Sequence, residues 1–476
     1  MSELGVDPGD AEAHGAGRGE ARGEARGELK RSLGLLDATM LVVSSVIGVG
    51  IFFTPGAVAQ ALPSRGWFFA AWLVGGLLSL AGALANAELG AMFPKAGGDY
   101  VYLREAYHPL AGFLVGWLSF FVIYAGTVAT LAIGFANGVA GLVAIHPYAK
   151  HALAGGVVVL TSAVNALGVR AGATVNNVTA VIKVLALAGL VIAGPLVLGH
   201  AAVAAAPPAA STEAPTLSFG VALSPVLFTY LGWNASVYVA SEIRDVERTL
   251  PRSLFLGLGV CTAIYLLINA TYATTLPMTR LAGENAVGRA TALALFGERG
   301  GTFLSVLILC SVLGALNANT LVGPRIAYAM ARDGLMFRQA GRVHAPSGAP
   351  RVAIAVQGAT ALVLVFGLRS FLRVLDYTTF AIVLATIADT LALYMLRVRK
   401  PLLPRPYKAW GYPVIPLLYV GANVAIAASL VRGRPQECAI GLGILLAGLP
   451  FYFLFSRASR ARRRREGAPG GGPPAP

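Results

Sequence analysis

Twelve stretches of mostly apolar residues constrain the fold of this chain more than any other feature of its sequence. An α-helix needs about 20 such residues to cross the hydrocarbon core of a bilayer. Charged residues make up only 12% of the chain, against about 25% in a typical soluble domain, so much of the surface must face lipid. The pattern predicts an all-α membrane protein with twelve transmembrane helices in one domain over 32–456. The candidate spans are 36–61, 67–91, 110–140, 152–167, 173–199, 218–241, 253–277, 302–330, 352–368, 374–396, 412–432 and 437–456.

The two ends of the chain differ from this domain in composition. Residues 1–31 are rich in Gly, Ala, Arg and Glu and have no apolar core, which excludes a cleavable signal peptide and favours a disordered cytoplasmic tail. The other end, 457–476, is first basic and then Gly/Pro-rich, and it is predicted to be a second cytoplasmic tail. The cluster Arg462–Arg465 directly follows an apolar span, so the net charge of +15 favours contact with anionic lipid over contact with nucleic acid.

The distribution of Lys and Arg residues predicts the orientation. Short cytoplasmic loops carry the excess of positive charge in membrane proteins. With the N-terminus inside, the inside loops hold 16 Lys and Arg residues and the outside loops hold 9. An even number of spans returns the C-terminus to the same side. We therefore expect a multi-pass protein of the cell (inner) membrane with both termini in the cytoplasm.

Two of the candidate spans are interrupted near their middles. The first contains Val46–Gly56, in which two glycines precede a Thr-Pro-Gly, and the sixth contains Ser224–Asn234, with a Pro, a Gly and polar residues. Broken helices are tolerated in lipid only where their backbone lines a cavity or is buried in protein. Because the two interruptions are five spans apart, they predict inverted repeats over about 36–199 and 218–396, with extra helices over 412–456.

Such breaks would expose backbone groups at mid-membrane depth. A half-helix that begins near Gly50 would point free N–H groups at an anion such as a carboxylate. Half-helices that end near Val46, Ile47 and Phe228 would offer carbonyl oxygens to an ammonium group. A solute with both charges on one carbon suits this arrangement. Close packing of helices would also explain the glycines, and the breaks alone leave both explanations open.

Lys183 is the only Lys or Arg that lies deep inside a predicted span, eight or more residues from either end. A charge inside the membrane is costly and indicates a function, because the distance makes snorkelling to the surface difficult. The side chain could carry a proton, or it could hold a fixed positive charge where another transporter would bind sodium.

Motifs for other chemistry are missing from the sequence. The three cysteines lie in or beside apolar spans without metal-ligand spacing, and there is no nucleotide-binding motif and no Ser/His/Asp arrangement. We therefore expect no cofactor, no metal and no enzymatic activity. Nothing in the sequence supports a channel. A receptor that senses a solute without moving it is an alternative that the sequence leaves open. Of the other polar residues, Glu88 is expected to make a capping or loop contact, and Asp389 is given no role.

An ordered set of short motifs resembles the amino acid–polyamine–organocation superfamily, and within it the L-type amino acid transporters. The break at 47–52 is similar to the family's Gly-Ser-Gly-Ile-Phe, and the resemblance extends over nearly all of 32–456. The remaining matching segments are 87–90, 97–100, 232–234, 241–244, 250–252, 404–408, 437–441 and 448–452.

The resemblance implies a leucine-transporter-type fold, with ten core helices in inverted repeats and two more, and a site for the α-amino and α-carboxyl groups. Val49 and Gly50 would present amides to the carboxylate, and Val46, Ile47, Phe228 and Leu231 would present carbonyls to the amine. Phe228 would also be a gate, and Lys183 would take the place of sodium. The implied substrate-binding set is Val46, Ile47, Gly48, Val49, Gly50, Phe228, Thr229, Leu231 and Asn234, with Lys183 and Phe228 in coupling or gating.

Two departures from the family pattern refine this expectation. Val49 replaces the usual Ser, which removes one hydroxyl donor, and Leu231 stands where transporters of large substrates have Gly. A sodium-independent exchanger or permease for small neutral amino acids, working by alternating access, is therefore predicted. A proton-coupled symporter is one alternative. A transporter of cationic amino acids or polyamines is another, although neither broken segment holds a carboxylate. No Cys lies near Ile145–Pro147, so no disulfide-linked heavy chain is expected.

Overall fold

The computed structural model describes residues 29, 31–140, 142–198, 216–284, 286–368, 371–433 and 435–466. Within these residues all regular elements are helical, and the only β-structure is two isolated bridges, Leu33 with Ile243 and His344 with Ala349. The all-α prediction is therefore confirmed for the described part of the chain. Both predicted tails lie mostly outside it; residues 457–466 are described and continue the last helix.

Seventeen helices are numbered here in chain order. The first eight are α1 Leu35–Val46, α2 Gly50–Ala61, α3 Arg65–Met92, α4 Asp99–Ala106, α5 Pro109–Ala140, α6 Pro147–Leu167, α7 Val169–Leu198 and α8 Thr216–Thr229. The others are α9 Ala235–Tyr238, α10 Val246–Thr275, α11 Met278–Ala282, α12 Val287–Val322, α13 Pro324–Arg332, α14 Arg351–Leu368, α15 Phe371–Arg399, α16 Val414–Gly433 and α17 Pro435–Glu466.

The described residues contain nine helical segments that are long and apolar enough to cross a membrane, and the pair α1 and α2 makes a tenth if it counts as one bent span. These ten correspond to ten of the twelve predicted spans. The other two predictions fall on α8, which has 14 described residues, and on α14, whose apolar part is shorter than a typical span. A multi-pass helical membrane protein is thus established, whereas the count of twelve stays a prediction.

The first break separates α1 from α2, whose axes differ by 47°. Ile47 has left the helical region, at φ −75° and ψ 86°, and α2 starts afresh at Gly50. A β-carbon on Gly50 would lie 2.8 Å from the Thr229 hydroxyl oxygen, so the absence of a side chain lets the two broken helices approach.

The second break lies between α8 and α9. Gly232 adopts φ +96°, a conformation that residues with a side chain rarely take, and a β-carbon there would lie 2.8 Å from the Ser45 carbonyl oxygen. The break is therefore specified by a glycine that packs directly against the end of α1. Both predicted interruptions are present, and they touch.

Aromatic side chains support this junction from behind. Trp72 of α3, Tyr230 after α8 and Tyr265 of α10 form one buried cluster with ring centroids 5.0 to 6.5 Å apart. The Tyr265 hydroxyl donates to the carbonyl oxygens of Val46 and Thr229, at 2.9 and 3.0 Å. It thereby satisfies one carbonyl at the end of each half-helix, which water cannot do in lipid.

Buried ion pairs tie the helix ends together on one side of the bundle. The Arg325 guanidinium of α13 donates to both oxygens of Glu242, at 2.7 and 3.2 Å, and both side chains are buried. The Glu88 carboxylate of α3 accepts from Arg397 of α15 and from the Ala409 backbone N–H. The expected loop contact of Glu88 is therefore an interhelical ion pair that joins α3 to α15 and to the loop that follows α15.

Candidate functional site at the paired helix breaks

A cavity of about 120 Å³ lies where the two broken helices meet. Both breaks contribute to its wall, and residues of α4, α5, α12 and α15 complete it. Part of α5, Ser119–Tyr124, is a π-helical segment, and it places Ile123 and Tyr124 on the cavity wall. Extra-wide turns of this kind recur at functional sites.

Eight of the residues predicted for substrate binding line this cavity. They are Val46, Gly48, Val49, Gly50, Phe228, Thr229, Leu231 and Asn234. Ile47 and Lys183 do not line it and lie behind its wall. The two breaks, 180 residues apart in the chain, are thus brought to one site.

The start of α2 faces the cavity with its first backbone amides. Val49 precedes the helix and Gly50 begins it, so their N–H groups have no carbonyl one turn earlier to bond to. The positive end of the helix dipole adds to the positive electrostatic potential of these free N–H groups. The break therefore forms a site suited to an anion without any cationic side chain.

The carbonyl groups at the end of α1 are not equivalent. The Ile47 carbonyl accepts hydrogen bonds from Lys183 Nζ at 2.7 Å and from Ser311 Oγ at 3.1 Å, which occupy both of its lone pairs. The Val46 carbonyl also accepts two, from the Tyr265 hydroxyl at 2.9 Å and from the Gly48 backbone N–H at 2.8 Å. Only Val46 of these two residues lies on the cavity wall.

Lys183 is buried in α7 with 2% of its surface exposed. Besides the Ile47 carbonyl, its ammonium group donates to the carbonyl oxygens of Ser44 and Ser311, at 3.1 and 3.2 Å, and approaches Ser44 Oγ at 3.4 Å. One ammonium group thus joins α7, the end of α1 and α12. Cations are stabilised at the C-terminal end of a helix, where the carbonyls are unpaired.

Thr229 and Asn234 have polar partners within the wall. Thr229 Oγ1 lies 2.8 Å from Thr54 Oγ1 of α2, and it also donates to the Pro225 carbonyl oxygen. Asn234 Nδ2 donates weakly to the Tyr238 hydroxyl at 3.4 Å. The hydroxyl contact therefore links the two broken helices directly.

Phe228 and Leu231 stand between the cavity and a second void of about 30 Å³. Trp233 and Tyr419 line the far side of that void. Together with Thr379, Ile382 and Thr386 of α15, which also line both spaces, these two apolar side chains form the partition that limits the cavity on this side.

Two asparagines of α12 have different surroundings. Asn317 accepts from Asn165 Nδ2 and donates to the Gly172 carbonyl oxygen, both at 2.9 Å, so it joins three helices. Asn319 lies on the cavity wall.

The sequence interpretation missed an acidic pair at this site, Asp99 on the cavity wall and Asp389 next to it. Asp99 begins α4 and lines the cavity, where its carboxylate accepts from the Tyr238 hydroxyl. Asp389 is fully buried within α15, so its position in an apolar helix was the available signal. Neither broken segment supplies a carboxylate to the cavity; Asp99, the first residue of α4, does.

Among the described residues, His, Cys, Asp and Glu form no group of three that could hold a metal ion. The site is instead one of backbone ends, small polar side chains and an apolar partition.

Comparison with known proteins bears directly on this geometry. The model of the family described as amino acid permease matches residues 33–449. The chain belongs to the amino acid permease family. It is a membrane transporter of amino acids, and both broken helices lie inside the matched range.

This permease is similar over most of its length to three named transporters. It is 32% identical over 429 residues to a serine/threonine exchanger of Bacillus subtilis (strain 168), covering 89% of this chain and 97% of that protein. It is 30% identical over 448 residues to the mouse Asc-type amino acid transporter 1, and this match covers 90% of this chain and 81% of that protein. It is 30% identical over 442 residues to the mouse large neutral amino acids transporter small subunit 2, again covering 90% and 81%.

Proposed function

We propose that this permease is a sodium-independent exchanger of small neutral amino acids that works by alternating access in the cell membrane. The observation that carries the proposal is the meeting of two broken helices at one cavity, with a buried ammonium group behind the break. We further propose that the fold is the leucine-transporter type, with twelve spans and both termini in the cytoplasm.

The helix ends suit the two charges of a zwitterionic amino acid. The carboxylate would accept from the amides of Val49 and Gly50. The ammonium group would donate to the carbonyls of Val46, Phe228 and Leu231. Ile47 leaves the proposed set of direct contacts, because it does not line the cavity and its carbonyl is held by Lys183 and Ser311 behind the wall.

Sodium independence is supported by the position of Lys183. Its ammonium group already holds the carbonyl oxygens of Ser44, Ile47 and Ser311, which are the type of oxygen ligand that a hard cation would otherwise use. A fixed positive charge at this place removes the need for a bound metal ion and keeps α1 attached to α7.

The size of the cavity supports a small substrate. Its volume of about 120 Å³ is well below the roughly 300–1,000 Å³ of pockets that hold drug-sized ligands. The Leu231 side chain limits it on the side of the second void. Serine, threonine and alanine are therefore the first substrates to test, and one of the relatives above is named as a serine/threonine exchanger.

The deciding experiment is exchange in proteoliposomes. Vesicles loaded with unlabelled serine should take up labelled serine, threonine or alanine without sodium, and empty vesicles should take up little. Uptake into empty vesicles that follows an imposed pH gradient would instead identify a proton-coupled symporter and contradict the exchanger.

A cationic substrate is the second candidate, because Asp99 places a carboxylate on the cavity wall. The same assay with labelled lysine, arginine and a polyamine tests it. We expect no exchange of these solutes, since Tyr238 already donates to Asp99 and a second carboxyl group lies behind it. Efficient exchange of lysine would reverse the substrate assignment.

A further inference from the structure

Two buried carboxyl groups face each other at the edge of the cavity. Asp99, at the start of α4, is 2% exposed, and Asp389, in α15, is fully buried. Asp389 is the carboxyl group that faces Asp99, and the side-chain amide of Asn86, from α3, faces Asp389. Three segments of the chain therefore meet at this pair.

No cation compensates this pair among the residues that the structure describes. The described ion pairs involve neither carboxyl group. The other titratable groups that face the pair are all phenols, namely Tyr102, Tyr107, Tyr124, Tyr238 and Tyr419. Two carboxylates in contact cannot both stay ionised at such a place.

Unpartnered polar atoms mark the same place independently. The Asn86 amide is buried, and neither its oxygen nor its nitrogen has a hydrogen-bond partner. Both Asp389 oxygens and one Asp99 oxygen also have no hydrogen-bond donor. A single added proton converts one carboxylate into a donor for the other, and so supplies a hydrogen bond that the cluster lacks. Burial also raises the pKa of the Asp99 carboxyl, which favours its protonated form.

We propose that Asp99 and Asp389 bind one proton between them, and that this shared proton is a latch across the cavity. The inference rests on the proposed function in that the latch acts during the transport cycle. Tyr238 belongs to the half-helix after the second break and donates to Asp99, so it connects that segment to the pair. The protonated pair joins α15 and the start of α4 to this segment. Loss of the proton to cavity water leaves two like charges that repel each other and release the contact.

Infrared spectroscopy of the purified protein tests the proton without any substrate. A protonated carboxylic acid has a C=O stretching band separate from that of a carboxylate, and the band shifts on exchange into D₂O. At neutral pH the native protein should show this band, and Asp389→Asn should lose it. The other buried carboxylates, Glu88 and Glu242, are paired with arginine and do not contribute.

Two further variants make this result specific. Asp389→Glu keeps a carboxyl group at the site and should keep the band. Asp245→Asn changes an exposed carboxyl group outside the cavity, at a backbone conformation that Asn tolerates, and should also leave the band intact. A band that persists in Asp389→Asn, or that is missing from the native protein, overturns the proposal.

The pH profile of exchange tests the latch. The native rate should fall as the pH rises through the range in which the pair loses its proton. Profiles are compared after each is scaled to its own maximum. The alkaline decline should disappear in Asp389→Asn, whose amide has no proton to lose, and stay in Asp245→Asn.

An unchanged decline in Asp389→Asn contradicts the latch even if the native protein shows the infrared band. Because the band requires no transport, failure of exchange itself would count against the proposed function and not against the proton site.

Discussion

Lys183 illustrates how much of this molecule depends on single side chains. A charged group inside a membrane protein is costly unless it is surrounded by polar partners. Here carbonyl oxygens of Ser44, Ile47 and Ser311 surround it, and they come from the end of a half-helix and from a neighbouring helix. The break supplies the carbonyl oxygens that accept hydrogen bonds from the lysine, and the lysine supplies a donor to carbonyls that have no partner within the helix.

The size of the residue at position 231 should set the range of substrates. Leu231→Gly removes the side chain that, together with Phe228, separates the cavity from the void behind it. We expect the variant to exchange leucine or phenylalanine, with uptake at least about tenfold above that of the native protein, which corresponds to about 1.4 kcal/mol. Counterflow of labelled amino acids into loaded proteoliposomes measures this.

Leu227→Gly is the matched control for this change. It introduces the same helix-weakening residue next to Phe228, at a position that lines only the smaller void. If both variants broaden the substrate range equally, or if Leu231→Gly leaves it unchanged, the partition does not select for size.

At the scale of the element, the second broken helix depends on a backbone that only glycine adopts easily. Gly232→Ala places a side chain at φ +96° and against the Ser45 carbonyl oxygen. We expect a loss of about 1–3 kcal/mol of stability and at least tenfold slower exchange, because the two breaks are pushed apart. The midpoint of thermal unfolding and the exchange rate are the readouts.

Gly156→Ala is the control for this change. Gly156 lies exposed in α6, and a β-carbon there would meet nothing within 4 Å. The same substitution should be neutral or slightly stabilising, since Ala favours a helix over Gly by about 1 kcal/mol. A Gly232→Ala variant as stable and as active as Gly156→Ala would mean that the break does not need this conformation.

An ion pair with a buried carboxylate joins the ends of α3 and α15, and its loss should strongly lower the stability of the protein. Glu88→Gln removes the buried carboxylate that Arg397 and Arg405 share, and we expect a destabilisation that approaches the roughly 3–5 kcal/mol of a broken buried pair, because both guanidinium groups are only partly exposed. Glu105→Gln disrupts the more exposed pairs with Arg104 and Lys400 and should cost less than about 1 kcal/mol for each pair. Thermal unfolding of both variants in one detergent gives the comparison; equal losses would contradict this role for Glu88.

At the scale of the whole molecule, the orientation in the membrane follows from the positive charges of the loops. Tyr148→Cys and Leu402→Cys place single reporters at side chains that are 79% and 96% exposed, in a protein whose native cysteines have been replaced. An impermeant maleimide added to intact cells should label position 148. Position 402 should react only after permeabilisation, because it lies in a loop rich in Lys and Arg. The reverse pattern would invert the proposed topology.

Much of the architecture follows from local properties that a sequence displays directly. Length and apolar character predict helices that span a bilayer, and poor helix formers at Gly48, Gly50 and Gly232 predict the two breaks. A lysine far from either end of its span indicates an interior partner. None of these inferences requires knowledge of which segments touch, because each depends on a residue and its neighbours along the chain.

The tertiary structure alone decided which atoms meet. It assigned the Ile47 carbonyl to Lys183 and Ser311 and not to the cavity, and it brought Asp99 and Asp389, 290 residues apart, to the same edge of that cavity. In the sequence, Asp389 is an acidic residue near the end of a predicted span. Only the tertiary structure shows that α3, α4 and the half-helix with Tyr238 surround it. Hydrogen bonding and the burial of charge depend on long-range proximity, and no local pattern in a single chain encodes that proximity.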